Sequence, residues 1–246
     1  MYFSGRDGAR LAYQETGEGR PLILLHGLME RGSHWVDLGL AWRLADRGHR
    51  VIMPDLRGHG DSTKSRDARS YPPDVLAHDG LALVDHLGLA DYDLAGHSVG
   101  GRTVARMLVH GATPRRAVIT GQGLEAVLRP AEHTRWERNF LSACGAGGFE
   151  PGSKEQNTED WLRAMNCDPQ ALLLLLDSWV NTTPAELGTI AVPVLVLTGD
   201  DEPHTETATA LADAFPHARH AELPGDHFTV KMSPEFEDAL AGFLAD

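Results

Sequence analysis

A serine with a glycine two positions away on either side is the residue best placed for covalent chemistry. The segment is Gly96-His97-Ser98-Val99-Gly100, and it lies between a short apolar run and a stretch with helical spacing. A strand that turns sharply into a helix over small residues presents its central side chain at the edge of a sheet. The N-terminus of the helix favours negative charge that develops beside that hydroxyl. The pattern therefore predicts that Ser98 is a nucleophile.

The elements that must position this serine alternate between strand and helix. Short apolar runs, typical of strands buried on both faces, occur at 21–26, 50–55, 91–95, 116–120 and 192–198. A hairpin is predicted within residues 1–14, and a further short strand near 219–223. One helix before the strand at 50–55 is predicted by the spacing of Trp35, Leu38, Trp42 and Ala45. The alternation favours an α/β protein with a mostly parallel sheet and helices on both faces.

Residues 123–187 interrupt this alternation. Their apolar residues, among them Trp136, Phe140 and Trp161, have helical spacing, and we predict helices only. Helices inserted between two strands favour a cap above the C-terminal edge of the sheet, where open α/β sheets bind ligands. We therefore expect a core of residues 1–122 and 188–246 and a helical cap of residues 123–187.

Five motifs follow one another along the chain. They are Leu24-Leu25-His26-Gly27, Asp-Leu-Arg-Gly-His-Gly-Asp-Ser at 55–62, Gly-His-Ser-Val-Gly-Gly at 96–101, Val-Leu-Thr-Gly-Asp-Asp-Glu-Pro at 196–203, and Leu-Pro-Gly-Asp-His-Phe at 223–228. Together they resemble the α/β-hydrolase family, over essentially the whole chain and in the family's order. The resemblance implies an eight-stranded, doubly wound sheet with a helical cap. It also implies the branch of the family whose nucleophile is serine.

The resemblance implies a base and an acid that follow the serine in the chain. His227 lies in a loop after the last predicted strand and before the last predicted helix, which makes it the candidate base. In the family the acid stands three residues after the glycine that ends the penultimate strand, and this position is Glu202. The usual residue there is Asp, so Asp201 stays open as a rival. Asp226, beside the histidine, is interpreted as structural.

Two backbone amides are implied as the oxyanion hole, which binds negative charge on the substrate oxygen. One is the N–H of Val99, directly after the nucleophile, and the other is the N–H of Leu28, after the His26-Gly27 strand end. We interpret the segment 56–62 as scaffold, with a buried pair between Arg57 and Asp61 and no catalytic role for its histidine.

Composition restricts the partners of the chain. Lys and Arg total 22 against 35 Asp and Glu, so the formal charge is −13, which disfavours nucleic acid and anionic membranes. The two cysteines form no CxxC pair, and no signal-like or membrane-spanning apolar run is present in the sequence. We expect a cytoplasmic protein that takes a small-molecule substrate and needs no cofactor or metal. Monomer and dimer are both left open.

These residues favour a serine hydrolase that cleaves a small ester-like substrate through an acyl-enzyme, with carboxylesterase as the default. Serine at position 98 argues against haloalkane dehalogenases and epoxide hydrolases, where the resemblance would require aspartate. Carbon–carbon bond hydrolase, lactonase and thioesterase activities remain open. So do a ligand sensor of low turnover and non-hydrolytic chemistry, such as halide-dependent peroxidation of acids or cofactor-free oxygenation.

Overall fold

Apolar runs in the sequence become the central strands of the sheet. The computed structural model describes residues 1–144, 148–203 and 205–245. Its strands are β1 (Tyr2–Ser4), β2 (Arg10–Thr16), β3 (Arg20–Leu25), β4 (His49–Pro54), β5 (Asp93–His97), β6 (Arg116–Thr120), β7 (Val194–Gly199) and β8 (Ala218–Leu223). The described residues thus form one eight-stranded sheet, in the order β1-β2-β4-β3-β5-β6-β7-β8.

The sheet is antiparallel only where the N-terminal hairpin joins it. Strand β2 pairs antiparallel with β1 and with β4. The other strands, which follow one another across the sheet in the order β4-β3-β5-β6-β7-β8, are all parallel. The prediction of a mostly parallel, doubly wound sheet is confirmed. Its carboxyl ends bring the loops after β3, β5, β6, β7 and β8 to one edge.

The helices lie between and beyond these strands. They are α1 (His34–Asp37), α2 (Leu40–Asp46), α3 (Val75–Leu87), α4 (Val99–Val109), α5 (Leu124–Leu128), α6 (Pro130–His133), α7 (Arg135–Ala143), α8 (Lys154–Ala164), α9 (Pro169–Asp177), α10 (Pro184–Leu187), α11 (Thr205–Asp213) and α12 (Pro234–Ala245). In the described parts of 121–193 the chain forms α5 to α10 and no strand. Residues 145–147 of the predicted cap lie outside the described residues. Among the described helices, none has the length and apolar character that crossing a bilayer requires.

Side chains of each central strand alternate between two apolar clusters. Leu22 and Leu24 pack on the face covered by α12 and Trp35, whereas Ile23 and Leu25 pack on the opposite face. This period of two follows from the pleat of the strand, and both faces are buried because helices cover both. Helices between β6 and β7 contribute Phe140 and other apolar side chains to the cluster that contains Ile23 and Leu25. These helices therefore share a hydrophobic core with the sheet.

The single helix predicted from Trp35 to Ala45 is wrong. The chain forms α1 and α2 instead, interrupted at Gly39, whose φ is +73°. A left-handed residue ends the ladder of helical hydrogen bonds, and the second helix starts in a new direction. Trp42 is consequently 54% exposed, although the helical spacing placed it with the buried residues.

Candidate active site

Strand β5 turns into helix α4 within one residue, and that residue is Ser98. Its φ of +54° and ψ of −117° lie outside the ordinary regions for a residue with a side chain. The conformation is held because the Ser98 N–H donates to the Thr120 carbonyl at 2.8 Å. A Cβ on Gly100 would lie 2.4 Å from the Leu25 carbonyl oxygen, so only glycine permits this close approach of α4 to β3. The local strain, about 1–3 kcal/mol, is sustained by the surrounding sheet.

The structure brings together the hydroxyl, the imidazole and the carboxylate that the sequence singled out. His227 Nε2 lies 3.0 Å from Ser98 Oγ. His227 Nδ1 lies 2.8 Å from Glu202 Oε2. Because a carboxylate only accepts hydrogen bonds, Nδ1 carries the proton and Nε2 is left to accept from the hydroxyl. This is the arrangement that allows an imidazole to remove the serine proton.

Glu202 and Asp201 lie in different surroundings, although they are neighbours in the chain. The Glu202 side chain is 0% exposed, and its second oxygen accepts from the Gly199 N–H at 2.9 Å. Both carboxylate oxygens are therefore bonded, one of them to the imidazole. Asp201 is exposed, and its backbone N–H donates to the Gly225 carbonyl. The loop after β7 thus directs Glu202, not Asp201, toward His227.

Asp226 shapes the turn that presents His227. One of its oxygens accepts from the Phe228 and Thr229 N–H groups at 2.9 and 2.8 Å, and from the Thr229 hydroxyl. The bonds from Thr229 come first among the causes that lower the pKa of Asp226 below its ordinary value. Its carboxylate accordingly acts on the loop backbone, as the sequence interpretation proposed.

The two amides implied as an oxyanion hole belong to segments that lie close to Ser98. Val99 is the first residue of α4, so its N–H has no partner within the helix. Leu28 follows Gly27, whose Cβ, if present, would lie 3.4 Å from Ser98 Cβ. Among the described residues, neither amide donates to a protein acceptor. Both N–H groups are therefore left for an acceptor on a substrate.

The segment 56–62 packs as scaffold, but one predicted pair is wrong. Arg57 binds Asp79 and Asp7, with its closest nitrogen–oxygen distances at 2.7 and 2.6 Å. Asp61 is exposed, and its carboxylate accepts from Asn166, which follows α8, instead. Asp79 comes from α3 and reaches Arg57 only through the tertiary fold.

Two buried histidines support the loops around the nucleophile. His26 Nε2 accepts from the Leu56 N–H at 3.0 Å, and the ring packs against His59 at a centroid distance of 4.9 Å. Burial lowers the pKa of His26 to about 4 and that of His59 to about 3, so both are neutral at pH 7. Their bonds hold backbone, consistent with a structural role.

Two residues of the site were missed by the sequence reasoning. Gln122, two residues after β6, donates from Nε2 to the Ser98 carbonyl at 2.9 Å. Trp161 of α8 donates from Nε1 to the Met29 carbonyl at 2.8 Å, which ties the inserted helices to the loop after β3. A polar residue just beyond the carboxyl end of a parallel strand was a usable signal for Gln122. No local signal marked Trp161, because its partner is 132 residues away.

The rim of the site is open and partly apolar. The His227 side chain is 21% exposed, and the neighbouring Phe228 is 68% exposed with its ring perpendicular to the imidazole. Within the described part of the chain, no group of three or more His, Cys, Asp or Glu side chains could hold a metal ion. The site can bind a molecule that carries an oxygen for the two amides and an atom open to attack by Ser98.

Comparisons with known proteins find relatives along almost the whole chain. Residues 20–143 match the family model described as alpha/beta hydrolase fold. The chain is 30% identical over 271 aligned positions to the non-heme chloroperoxidase CPO-A1 of Kitasatospora aureofaciens. The alignment covers 97% of each of the two chains.

Solved structures of low identity share the fold. The enol-lactonase from Burkholderia xenovorans LB400 has a TM-score of 0.78 and 22% identity, over 100% of both chains. The esterase EaEST from Exiguobacterium antarcticum has a TM-score of 0.77 and 17% identity, over 100% of this chain and 99% of the other. At these identities the likeness shows the fold alone.

Proposed function

We propose that this chain, which belongs to the α/β-hydrolase family, is a serine hydrolase that cleaves a small ester-like substrate through an acyl-enzyme. The observation that carries the proposal is the chain of contacts from Ser98 Oγ to His227 Nε2 at 3.0 Å and from His227 Nδ1 to Glu202 at 2.8 Å. A serine hydroxyl is a poor nucleophile until a base removes its proton, and this arrangement supplies such a base.

In the first half of the reaction, His227 removes the Ser98 proton as the serine oxygen attacks the carbonyl carbon of the substrate. The imidazolium that forms is stabilised by the Glu202 carboxylate, whose side chain is fully buried. Negative charge develops on the carbonyl oxygen, where the Leu28 and Val99 N–H groups can donate. The tetrahedral intermediate then expels the alcohol, which takes the proton from His227, and the acyl group stays on Ser98.

In the second half, His227 removes a proton from water, which attacks the acyl carbon. The same two amides stabilise the second tetrahedral intermediate. Collapse of the intermediate releases the carboxylic acid, and the serine oxygen recovers its proton from His227. The partial exposure of His227 supports this half, because water reaches the imidazole directly.

The experiment that tests the proposal is the Ser98→Ala variant, assayed with p-nitrophenyl acetate and butyrate. We expect a loss of turnover of at least about 10³-fold with unchanged folding by circular dichroism. The matched control is Ser142→Ala, which removes an exposed hydroxyl from α7 and should keep full activity. Full activity in Ser98→Ala, or no labelling of the wild-type protein by a fluorophosphonate, would refute the proposal.

A second candidate activity is the formation of a peracid. It is favoured by the 30% identity to a non-heme chloroperoxidase along almost the whole chain. A carboxylic acid would acylate Ser98 with loss of water, and hydrogen peroxide would replace water as the attacking nucleophile. The released peracid would then oxidise a halide ion to hypohalous acid and return to the carboxylic acid.

The peracid activity is tested with acetate, hydrogen peroxide and bromide, with bromination of monochlorodimedone as the readout. Halogenation that depends on all three reagents and disappears in Ser98→Ala supports it. Halogenation that persists in Ser98→Ala contradicts an acyl-enzyme route. Hydrolysis without halogenation favours the ester-like substrate.

The remaining alternatives differ in the bond that is broken. Lactones, thioesters and carbon–carbon bonds beside a carbonyl all present an electrophilic carbon to Ser98. A panel that holds the acyl group constant and varies the leaving group ranks them by kcat/KM, because that ratio measures differential binding of transition states. Rapid fluorophosphonate labelling without turnover of any of them favours a ligand sensor.

A further inference from the structure

Two loops with different tasks meet behind the candidate active site through a buried ion pair. The loop after β3 carries the Leu28 amide, and the loop after β8 carries His227. Glu30 belongs to the first loop and Lys231 to the second, and Lys231 Nζ donates to Glu30 Oε1 although 201 residues separate them in the chain. The two side chains are 7% and 2% exposed.

The second oxygen of Glu30 reaches back into its own loop. Oε2 accepts from the Gly27 N–H at 3.0 Å, one residue before the Leu28 amide. The carboxylate lies within 3.5 Å of the position that a Cβ on Gly27 would occupy, and Ser98 Cβ lies at a similar distance. Glu30 is therefore bonded at one oxygen to the loop of the oxyanion hole and at the other to the loop of the histidine.

The surroundings of this pair favour the ionised form of Glu30. Burial raises the pKa of Glu30, but several opposing contributions, led by the Lys231 ammonium, together hold the pKa below its ordinary value. His34 lies 3.8 Å from Glu30 Oε1, and burial lowers its pKa, as it does for His26. The lowered pKa values favour the neutral form of both imidazoles at pH 7, and the centroid of the Trp35 ring lies 5.5 Å from Lys231 Nζ.

Stability alone is a weak reason for such a pair. Removing two charges from water is costly, and apolar residues of the same volume often stabilise a protein as well or better. A buried pair does, however, set a fixed distance between the elements that it joins. Here those elements hold an amide and an imidazole that must act on the same substrate at the same moment.

We propose that Glu30 and Lys231 are positioning residues: their ion pair holds the Leu28 amide and the His227 imidazole at a set separation across Ser98. This inference rests on the serine-hydrolase function proposed above. It assigns no contact with substrate to either side chain. It requires that loss of the pair slows the acyl-transfer step more than it weakens substrate binding.

The test uses the double variant Glu30→Gln/Lys231→Met of the full chain. Gln keeps an acceptor for the Gly27 N–H, and Met keeps an unbranched apolar stem, so no unpaired charge is left buried. We expect the second-order rate constant for labelling by a fluorophosphonate to fall about 10- to 100-fold, the loss typical of a displaced catalytic group. For a p-nitrophenyl ester, kcat should fall by a similar factor while KM changes less than about threefold.

The matched control is a buried ion pair away from the site. Asp74 and Arg106 have side-chain exposures of 8% and 7%, and Arg106 lies about 12 Å of helix rise beyond Ser98 along α4. Asp74→Asn/Arg106→Met should lower the melting temperature without slowing the labelling. A loss of labelling rate in the control equal to that in the Glu30/Lys231 variant would mean that the effect is general destabilisation, and the inference would be wrong.

The outcomes separate this inference from the function on which it rests. No labelling of the wild-type protein contradicts the proposed function. Normal labelling of the wild type and an equal rate in the double variant overturn the positioning role alone. If the double variant does not fold, Lys231→Arg keeps the buried cation but changes its length, and an unchanged labelling rate in that variant overturns the role as well.

Discussion

The backbone at Gly121 is the most sensitive test of the geometry around His227. Gly121 follows β6 with a φ of +64°. A Cβ built there would lie 2.9 Å from His227 Cε1, 2.9 Å from His97 Cε1 and 3.1 Å from His227 Nδ1. Carbon atoms in contact normally lie about 3.5–4.0 Å apart, so the backbone at 121 or both rings must shift until each contact has lengthened by roughly 0.6 Å or more. Gly121→Ala therefore acts directly on the proposed base.

The two rings differ in their freedom to move. His97 is 2% exposed and hydrogen-bonded to Thr120 Oγ1 at 2.8 Å, whereas His227 is on a loop with its side chain 21% exposed. We expect the larger displacement at His227, which lengthens its 3.0 Å contact with Ser98 beyond a good hydrogen bond. A displacement of this size predicts a loss in kcat/KM on the order of 10- to 100-fold.

The control for backbone strain is Gly88→Ala. Gly88 caps α3 with a φ of +61°, and a Cβ there meets no atom within 4 Å. An alanine in the left-handed region costs about 1–2 kcal/mol, so both variants should lose at least that much stability in urea unfolding. Only Gly121→Ala should also lose activity toward a p-nitrophenyl ester. If both variants keep kcat/KM within a factor of about two of the wild type, the placement of His227 against Gly121 is refuted.

Two further predictions follow from the buried groups. Glu202→Gln offers one amide oxygen to two donors, the imidazole and the Gly199 N–H, so kcat should fall about 10²- to 10⁴-fold. The control Asp201→Asn should keep a kcat near that of the wild type. The reverse ranking of the two variants would move the acid to position 201. The folded-state pKa values of His26 and His59 are about 4 and about 3. Below pH 6.5 the unfolded chain therefore binds more protons than the folded chain, and the free energy of unfolding should decrease as the pH is lowered from 6.5 to 4. For His26 alone the loss between pH 7 and pH 4.5 is about 2 kcal/mol, measurable by urea unfolding at these two pH values, and a flat profile would contradict neutral burial.

Local patterns in the sequence predicted an α/β protein with a mostly parallel sheet, and the resemblance to a known family implied the eight strands. Strands buried on both faces require continuous apolar runs, and the turn at Ser98 requires small residues on both sides, so both leave a signature within about ten residues. The order of the elements and the helices of residues 123–187 could be predicted for the same reason. Gly39 shows the limit of this reasoning, because helical spacing continues across a break that one backbone angle creates.

Contacts between distant segments were decided by the tertiary structure. Glu202 and Asp201 are adjacent carboxylates, and only the path of the loop after β7 directs one to His227 and the other to solvent. Arg57 finds Asp79 instead of Asp61, and Glu30 meets a lysine 201 residues away. Each such group needs a partner because it is charged or polar. The sequence contains many residues that could serve as that partner, and it does not distinguish among them. The choice is made when packing fixes which groups share a buried space, since an unpaired charge there is the costly alternative.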